Sequence, residues 1–267
     1  MVKAIVSVLA LAAIAAAAAI FAAGPGTKAG LWDNGTGLGL FRSLGLPAIV
    51  LAVLSAGGAV AAVMRARALA PLALVGAFAA AAAAYVPSEM KRRVDENPFI
   101  HDVTTDVDDP PAIVAGAEAP RKNPPEYVGA EPAPRADEGV SVADAQAAAF
   151  PDIRPMFFDV DLETAADAAR DVIVHMGLEM IAEGPVSDAP GSGWRIEAVA
   201  TSRWFGFKDD FVVRLAPQSE GGGSESGGPG GGVRVDARSK SRVGGSDLGA
   251  NAARIREFSR QLRAAIG

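Results

Sequence analysis

The residues of this chain with the clearest chemical potential are a histidine beside an aspartate and two carboxylates among arginines. His101 precedes Asp102, and a histidine paired with a carboxylate activates a serine in many hydrolases. Glu197 and Asp236 are of the type that performs acid–base catalysis. Arginines at positions 195, 214, 234 and 238 favour neutralisation of these carboxylates instead. We therefore predict no catalytic residue and keep a hydrolase that uses His101 and nearby carboxylates as an alternative.

Motifs that bind metals or phosphates are incomplete. The chain has no cysteine and only two histidines, which excludes disulfides, thiolate ligands and thiol nucleophiles. Residues 244–248 lack the final glycine of a nucleophile elbow, and residues 106–110 have proline where a calcium loop requires glycine. The glycines near position 245 are not followed by the Gly-Lys-Ser/Thr of a P-loop. We therefore expect no metal site and no cofactor.

Charged and apolar residues alternate in segments that we predict to be neighbouring strands, so the charges share the face opposite the core. Three interpretations stay open: a solvated face with cross-strand ion pairs, a polar groove for a ligand or partner, and a face covered by residues 101–106. The candidate ligand- or partner-binding residues are His101, Asp102, Glu197, Arg203, Trp204, Asp210, Arg214, Arg234, Asp236, Arg238, Arg242, Asp247 and Asn251.

Two neighbouring features extend this candidate site. Basic residues at 238, 240 and 242 lead into the amino terminus of the last predicted helix, where free N–H groups favour a phosphate or carboxylate. The alternative is an ordinary glycine turn in which Ser246 or Asp247 caps the helix. Residues 204–207 form an aromatic tip between two strands. The tip either contacts a bilayer, a partner or a hydrophobic ligand, or is buried under the sheet edge.

An apolar amino-terminal third precedes these elements. Uncharged stretches of 24, 21 and 21 residues occupy positions 4–27, 44–64 and 68–88. About 20 helical residues cross a hydrocarbon core of about 30 Å. We predict a transmembrane anchor at residues 1–90 with helices at about 4–24, 44–64 and 68–88. The short connection at 65–67 predicts a helical hairpin.

We predict a proline-rich acidic linker at residues 91–149. Nine of the 18 prolines, and 13 acidic against six basic residues, fall within positions 87–150. Most of residues 112–145 should be extended or mobile, because proline continues neither helices nor strand ladders. Residues 97–111 are the exception, since their mixture of apolar and polar residues is typical of a docked segment.

Residues 150–267 are predicted to form an α+β soluble domain. Strand patterns at 156–158, 178–182, 194–201, 211–215 and 233–237 accompany helices at about 161–176 and 248–265. The order β-α-β-β-β-β-α indicates an antiparallel sheet with two helices packed on one face. The glycine-rich residues 221–232 are predicted to be a low-complexity hairpin loop.

The charge distribution separates the two parts of the chain. Residues 1–86 carry five basic residues and one acidic residue, whereas residues 87–267 carry 20 basic and 30 acidic residues. This division is typical of a multi-pass inner-membrane protein with a soluble domain, and the acidic balance argues against nucleic acid as a partner. We expect the lipid bilayer, with an envelope protein or a small anionic or lipidic ligand, as partners. The basic residues that flank the spans leave the orientation open.

Three sequence blocks carry a resemblance to a known family. They are IHDVTTD at 100–106 with DPP at 109–111, IEA at 196–198 with TSRWFGFKDD at 201–210, and VDARSKSRVG at 235–244 with SDLGANAARI at 246–255. In this order they resemble domain-of-unknown-function family 1499 over about residues 97–267. The family has no assigned activity, so the resemblance implies no catalytic residues.

The resemblance also bears on location. Some relatives resemble exported lipoproteins and carry a cysteine-containing segment where this chain has residues 101–106. This chain departs from that pattern because it has no cysteine, and its helices take the place of the lipid. The resemblance therefore implies a periplasmic domain.

These observations lead to one predicted function and two alternatives. The prediction is a membrane protein that presents a non-enzymatic ligand- or partner-binding α+β domain at the cell envelope. The alternatives are a carrier of lipid or another hydrophobic ligand, with a cavity between sheet and helices, and the hydrolase described above.

Overall fold

The computed structural model describes residues 1–186, 193–218 and 232–267 of the chain. These residues form two compact units. One consists of Met1–Asp95 with Ser202–Gly206, and the other of Glu96–Thr201 with Phe207–Gly267. Most of the predicted glycine-rich loop at 221–232 lies outside the described residues. The first unit is helical, and the second contains the sheet.

Three long helices form the first unit. Helix α1 spans Val2–Lys28, α2 spans Asn34–Arg65, and α3 spans Ala70–Glu96 after a 3-10 turn at Arg67–Leu69. All three are long and apolar enough to cross a membrane. Large apolar side chains stay exposed on them, as Phe78 does at 79%. The prediction of three long apolar helices at the amino terminus is confirmed.

All three helices are longer than their predicted spans, and α1 extends from the predicted 4–24 to Val2–Lys28. Helix α2 begins ten residues early, at Asn34, because the Asp33 carboxylate caps it by accepting a hydrogen bond from the Thr36 N–H at 2.8 Å. The connection to α1 therefore becomes a tight turn. Helix α3 continues beyond residue 88 to Glu96. Within this added part, Glu89 forms ion pairs with Arg92 and Arg93, which lie one turn later.

The second unit has the predicted α+β architecture. Its elements are β1 Asp102–Thr104, α4 Val142–Ala149, β2 Met156–Phe158, α5 Leu162–His175, β3 Glu179–Val186, β4 Gly193–Thr201, β5 Lys208–Pro217, β6 Val233–Ser241 and α6 Ala250–Ile266. The strand order is β1-β6-β5-β4-β3, β2 also pairs with β6, and every pair is antiparallel. Strand β1 and helix α4 are additions to the predicted order.

The core lies between one face of this sheet and helices α5 and α6. Helix α5 begins where predicted, because the Asp161 carboxylate accepts from the Thr164 N–H at 2.8 Å. Alternate strand residues point into the core, as Phe211 of β5 does. Its ring packs edge-on against Phe258 of α6, with 5.3 Å between centroids. This packing leaves the opposite face of the sheet to the charged residues.

Residues 105–141 contain no regular helix or strand, yet they are bound to the sheet. Helix α4 follows them and begins with a capping box between Ser141 and Asp144. From this helix, the buried Gln146 side chain accepts from the N–H of Thr104 at 3.0 Å and donates to its carbonyl at 2.7 Å. These bonds satisfy the outer edge of β1, which explains why so short a strand is stable beside β6.

Candidate functional site

Most charged residues of β1, β4, β5 and β6 share the sheet face opposite the helices, whereas Asp209 pairs with Arg254 of α6 on the other face. Antiparallel register places Arg214 beside Asp236, and Lys240 beside both Asp102 and Asp210. We call this surface the polar face, and its members are Asp102, Glu197, Asp210, Arg214, Arg234, Asp236, Arg238, Lys240 and Arg242. All except Arg234 are buried. Strand β1 lies beside β6, and residues 109–126, which follow it, provide hydrogen-bond partners for the polar face.

Asp102 is the centre of one buried cluster on the polar face. Its carboxylate accepts from Nε and Nη2 of Arg238 at 2.9 and 2.8 Å and lies 2.9 Å from Nζ of Lys240. The Lys240 ammonium also donates to the Glu126 carbonyl at 2.6 Å. Burial lowers the pKa of Lys240, and Asp102 opposes that effect. One carboxylate is therefore the shared partner of two basic side chains in a site without solvent access.

Asp210 forms a second cluster at the same end of strand β6, on the other side of Lys240. Arg242 donates to its Oδ1 from two nitrogens, at 2.7 and 3.0 Å, and Arg121 donates to Oδ2 at 2.8 Å. Arg121 belongs to the irregular segment, as does Asn123, whose amide donates to the Ser241 carbonyl at 2.8 Å. This ion-pair cluster thus binds the segment to the sheet.

Glu197 is held mainly by backbone groups. Its carboxylate accepts from the N–H groups of Val114, Ala115 and Gly116 at 3.0–3.2 Å. Nε of Arg195 lies 3.2 Å from it. Three successive N–H groups form a concave anion site, which here is filled by a side chain of the same chain.

The polar face reaches solvent at one border, which we call the rim and which is formed by Arg234 and by Asp109 of the segment that follows β1. Arg214 donates to Asp109 at 2.9 Å and to Asp236 at 3.2 Å. Arg234 pairs with Asp106 and Asp236. The side chains of Arg234 and Asp109 are 34% and 70% exposed, whereas that of Arg214 is 6% exposed. Both signs of charge therefore reach solvent at this rim.

His101 lies beside a cavity of about 60 Å³ that Phe99 and Glu131 help to line. Its Nε2 is buried and has no hydrogen-bond partner within the described ranges. Burial lowers the pKa of His101, Lys240 adds to that effect, and Asp102 opposes it, so the imidazole is neutral at pH 7. The cavity has room for a few water molecules and is too small for an organic substrate.

Asp247 and Asn251 stabilise the start of α6. Asp247 accepts from the N–H groups of Gly249 and Asn251 at 2.9 and 2.8 Å, so its carboxylate satisfies N–H groups at the start of α6, whose N-cap residue is Gly249. Burial raises the pKa of Asp247 to about 6. The buried Asn251 amide accepts from Ser239 at 2.7 Å and donates to the His101 carbonyl at 3.1 Å. Side chains of the same chain therefore occupy this helix terminus.

Arg203 and Trp204 lie in the helical unit, separate from the other eleven candidates. The Trp204 indole donates to the Phe21 carbonyl at 3.3 Å. Its ring lies 5.3 Å from Phe41 and 5.3 Å from Phe205, whose side chain is buried. The aromatic tip therefore docks between α1 and α2 rather than under the edge of the sheet. Arg203 beside it is exposed.

The structure adds partners from the predicted linker that the sequence did not indicate, namely Arg121 and the N–H groups of residues 114–116. Asp106 and Asp109, which also pair with the polar face, belong to residues 97–111, the segment predicted to be docked. The signal available was weak. It consisted of acidic residues 106 and 109 beside prolines, at a distance of about 100 residues from the arginines that they pair with.

Comparison with known proteins supports one statement about this chain. A family described as "Protein of unknown function (DUF1499)" matches residues 102–262. No curated protein and no solved structure matches the chain significantly. The match extends from β1 to α6 and so covers the polar face and both helices of the core. Because it includes more than half of the sequence, the chain belongs to the DUF1499 family.

Proposed function

We propose that this chain is a multi-pass inner-membrane protein that presents a non-enzymatic ligand- or partner-binding α+β domain at the cell envelope. The observation that carries the proposal is the direct succession of three apolar helices and a domain whose buried charges are paired internally, while Arg234 and Asp109 reach solvent at the rim. The helices supply attachment to a bilayer. The domain then supplies a rigid surface rather than a reactive site.

The burial and hydrogen bonding of the carboxylates favour a binding function over a catalytic one. A general acid or base must reach its substrate, and a nucleophile needs an adjacent base. Asp102, Asp210 and Glu197 are buried, and each accepts several charge-assisted or backbone hydrogen bonds. The neutral His101 faces a cavity that excludes organic substrates. These groups are engaged in holding the fold.

The packing of the domain gives the lipid-carrier alternative little support. Apolar side chains from the sheet, α5 and α6 form one contiguous buried cluster between the layers. A larger concavity of about 480 Å³ lies on the outside of α5 and α6, where Asp171, His175 and Arg260 help to line it. A charged groove is unsuited to an acyl chain.

The rim of the polar face is the surface that we propose for binding. Arg234 and Asp109 are the charged side chains that extend from the buried clusters to solvent. The Arg234 guanidinium is held by Asp236 and the Asp109 carboxylate by Arg214, so little conformational entropy is lost when a partner pairs with them. A partner with charges of both signs, such as an envelope protein, is complementary to this rim.

The membrane orientation can be tested with single cysteines, since the chain has none of its own. If all three helices cross the membrane, the amino terminus and the domain lie on opposite sides, and we propose the domain in the periplasm. Ala136→Cys, in an exposed stretch of the domain, should react with a membrane-impermeant maleimide in cells with a permeabilised outer membrane. Ala68→Cys, exposed at the opposite end of the helices, should react only after lysis. The reverse pattern would place the domain in the cytoplasm.

Binding at the rim can be tested with charge reversal. Arg234→Glu repels Asp106 and Asp236 but lies at the edge of the fold, so the protein should still accumulate in the membrane. Chemical cross-linking of intact envelopes should give a discrete species with the parent chain that Arg234→Glu loses. Arg263→Glu, on the exposed part of α6, is the matched control and should retain it. A species that persists in Arg234→Glu would remove the rim from the binding surface.

A further inference from the structure

The docked aromatic tip brings three unpaired cations to one end of the helical unit. Lys28 is the last residue of α1, Arg42 follows Phe41 on α2, and Arg203 precedes Trp204 on the tip. All three are exposed. Within the described ranges their side chains have no acidic partner, whereas Lys91 at the carboxyl end of α3 is paired with Asp95 at 2.5 Å.

Contacts of the tip bring Lys28 and the chain neighbours of Arg42 and Arg203 together. The Trp204 ring packs where Gly24 has no side chain, and Lys28 lies one helical turn beyond Gly24 on the same side of α1. The methylenes of Lys28 lie against Gly206. Trp204 and Phe205 both contact the ring of Phe41, the neighbour of Arg42. The cations are therefore grouped by packing rather than by chance exposure.

The surroundings are those of a membrane interface. Trp32 follows α1 and donates its indole N–H to the Ala23 carbonyl at 3.0 Å, so a second tryptophan lies at this end of the helices. Tryptophan concentrates at headgroup depth, and basic side chains at the ends of apolar helices extend towards phosphates. Asp33 is the only acidic residue among positions 1–88, and its carboxylate caps α2. At the end of α3, acidic residues 89, 95 and 96 balance basic residues 91–93, so the net charge at this end of the helical unit is positive.

We propose that Lys28, Arg42 and Arg203 form a binding site for the phosphate headgroup of an anionic phospholipid, with Trp204 as its apolar floor. The proposal rests on the membrane placement proposed above. The site needs the tip as well as the helices, since Arg203 comes from the hairpin between β4 and β5. It therefore recognises lipid only when the tip is docked.

Quenching of tryptophan fluorescence by brominated lipids tests this site in the full chain. The protein is reconstituted into phosphatidylcholine vesicles that contain brominated phosphatidylglycerol or, at the same mole fraction, brominated phosphatidylcholine. Each basic side chain near a membrane surface favours anionic lipid by about fivefold, so brominated phosphatidylglycerol should quench at clearly lower mole fraction. High salt should reduce the difference by screening.

Variants identify the residues responsible. The double variant Lys28→Glu/Arg203→Glu should abolish the difference in quenching between brominated phosphatidylglycerol and brominated phosphatidylcholine. Arg67→Glu is the matched control, because Arg67 is equally exposed at the opposite end of the helices, and it should retain the preference. Inorganic phosphate should not compete, since the site is proposed for a headgroup held in a bilayer.

The outcomes separate this inference from the proposed function. Equal quenching by both lipids in the unmodified chain, loss of preference in Arg67→Glu, or persistence in the double variant would overturn the headgroup site. Competition by inorganic phosphate would overturn it in favour of a soluble anion. Absence of quenching by either lipid would instead contradict the membrane placement itself.

Discussion

The guanidinium of Arg238 holds the carboxylate of Asp102 through two hydrogen bonds of 2.8 and 2.9 Å, across a sequence separation of 136 residues. Neither side chain is more than 2% exposed. A buried ion pair adds little net stability compared with an apolar pair, but the loss of one partner leaves an uncompensated charge. Asp102 also pairs with Lys240, so these contacts fix β1 to β6 and, with β1, the start of residues 105–141.

Removal of the Asp102 carboxylate should therefore destabilise the domain strongly. Asp102→Ala leaves two buried cations without their anion, and we expect a loss of about 3–5 kcal/mol in the free energy of unfolding. Chemical denaturation of the full chain in detergent micelles, followed by circular dichroism, measures it. Asp152→Ala is the control, because Asp152 and Arg256 are 54% and 43% exposed and their pair is worth less than about 1 kcal/mol. Equal losses in both variants would show that the buried cluster is dispensable.

Gly116 should tolerate no side chain. A Cβ at this position would lie 2.7 Å from Oδ1 of Asp210, and the Gly116 N–H is bonded to Glu197. Gly116→Ala should therefore cost about 1–3 kcal/mol by overpacking between two ion-pair clusters. Gly184→Ala, on strand β3, meets no atom within 4 Å and should be neutral or slightly stabilising. Thermal unfolding of the two variants in parallel gives the comparison, and an unaffected Gly116→Ala would contradict the geometry.

Asp247 should make stability depend on pH in the acidic range. Its pKa is raised from the ordinary 3.8 to about 6, so the folded state binds the proton more tightly than the unfolded state. This contribution is fully present below about pH 4 and is lost as the pH rises through about 6. The shift corresponds to about 3 kcal/mol at most.

Thermal unfolding of the full chain between pH 4 and 7 tests this prediction. Asp247→Asn should remove that part of the slope, because the amide does not ionise. The exposed Asp137→Asn should leave the slope unchanged. If Asp247→Asn follows the unmodified protein at every pH, Asp247 is not the source of the dependence.

The docking of the aromatic tip should depend on the absence of a side chain at Gly24. A Cβ there would lie 2.3 Å from Cδ1 of Trp204, so Gly24→Leu should displace the indole from α1. We expect a changed tryptophan emission and greater quenching by iodide. Gly57→Leu is the control, since a Cβ at Gly57 meets no atom within 4 Å. An identical emission spectrum in Gly24→Leu would mean that the tip does not occupy this position.

Local pattern was sufficient to predict the classes of structure. Uncharged runs of about 20 residues predict the three helices, because a bilayer core imposes that length. The Asp161 cap and apolar repeat predict α5, and strict alternation predicts the core face of β4, β5 and β6. Each signal is contained within a few neighbouring residues, so a single sequence is enough to read it.

Contacts between residues that are distant in the sequence could not be predicted from these local patterns. Strand β1 has only three residues and is stable because β6 and the Gln146 side chain satisfy its two edges. The proline-rich residues 105–141 have no periodicity, yet Arg121 and the N–H groups of residues 114–116 fix them to buried carboxylates. Their order comes from bonds to residues about 80–90 positions away.

The sequence by itself determined that this chain has an apolar helical third and an acidic α+β domain of the DUF1499 family, because composition and alternation are local properties. The tertiary structure alone decided that the charged strand residues are buried and paired and that Trp204 docks between helices. The physical reason is that a charged side chain is stable in the interior only beside a specific partner, and the fold chooses that partner.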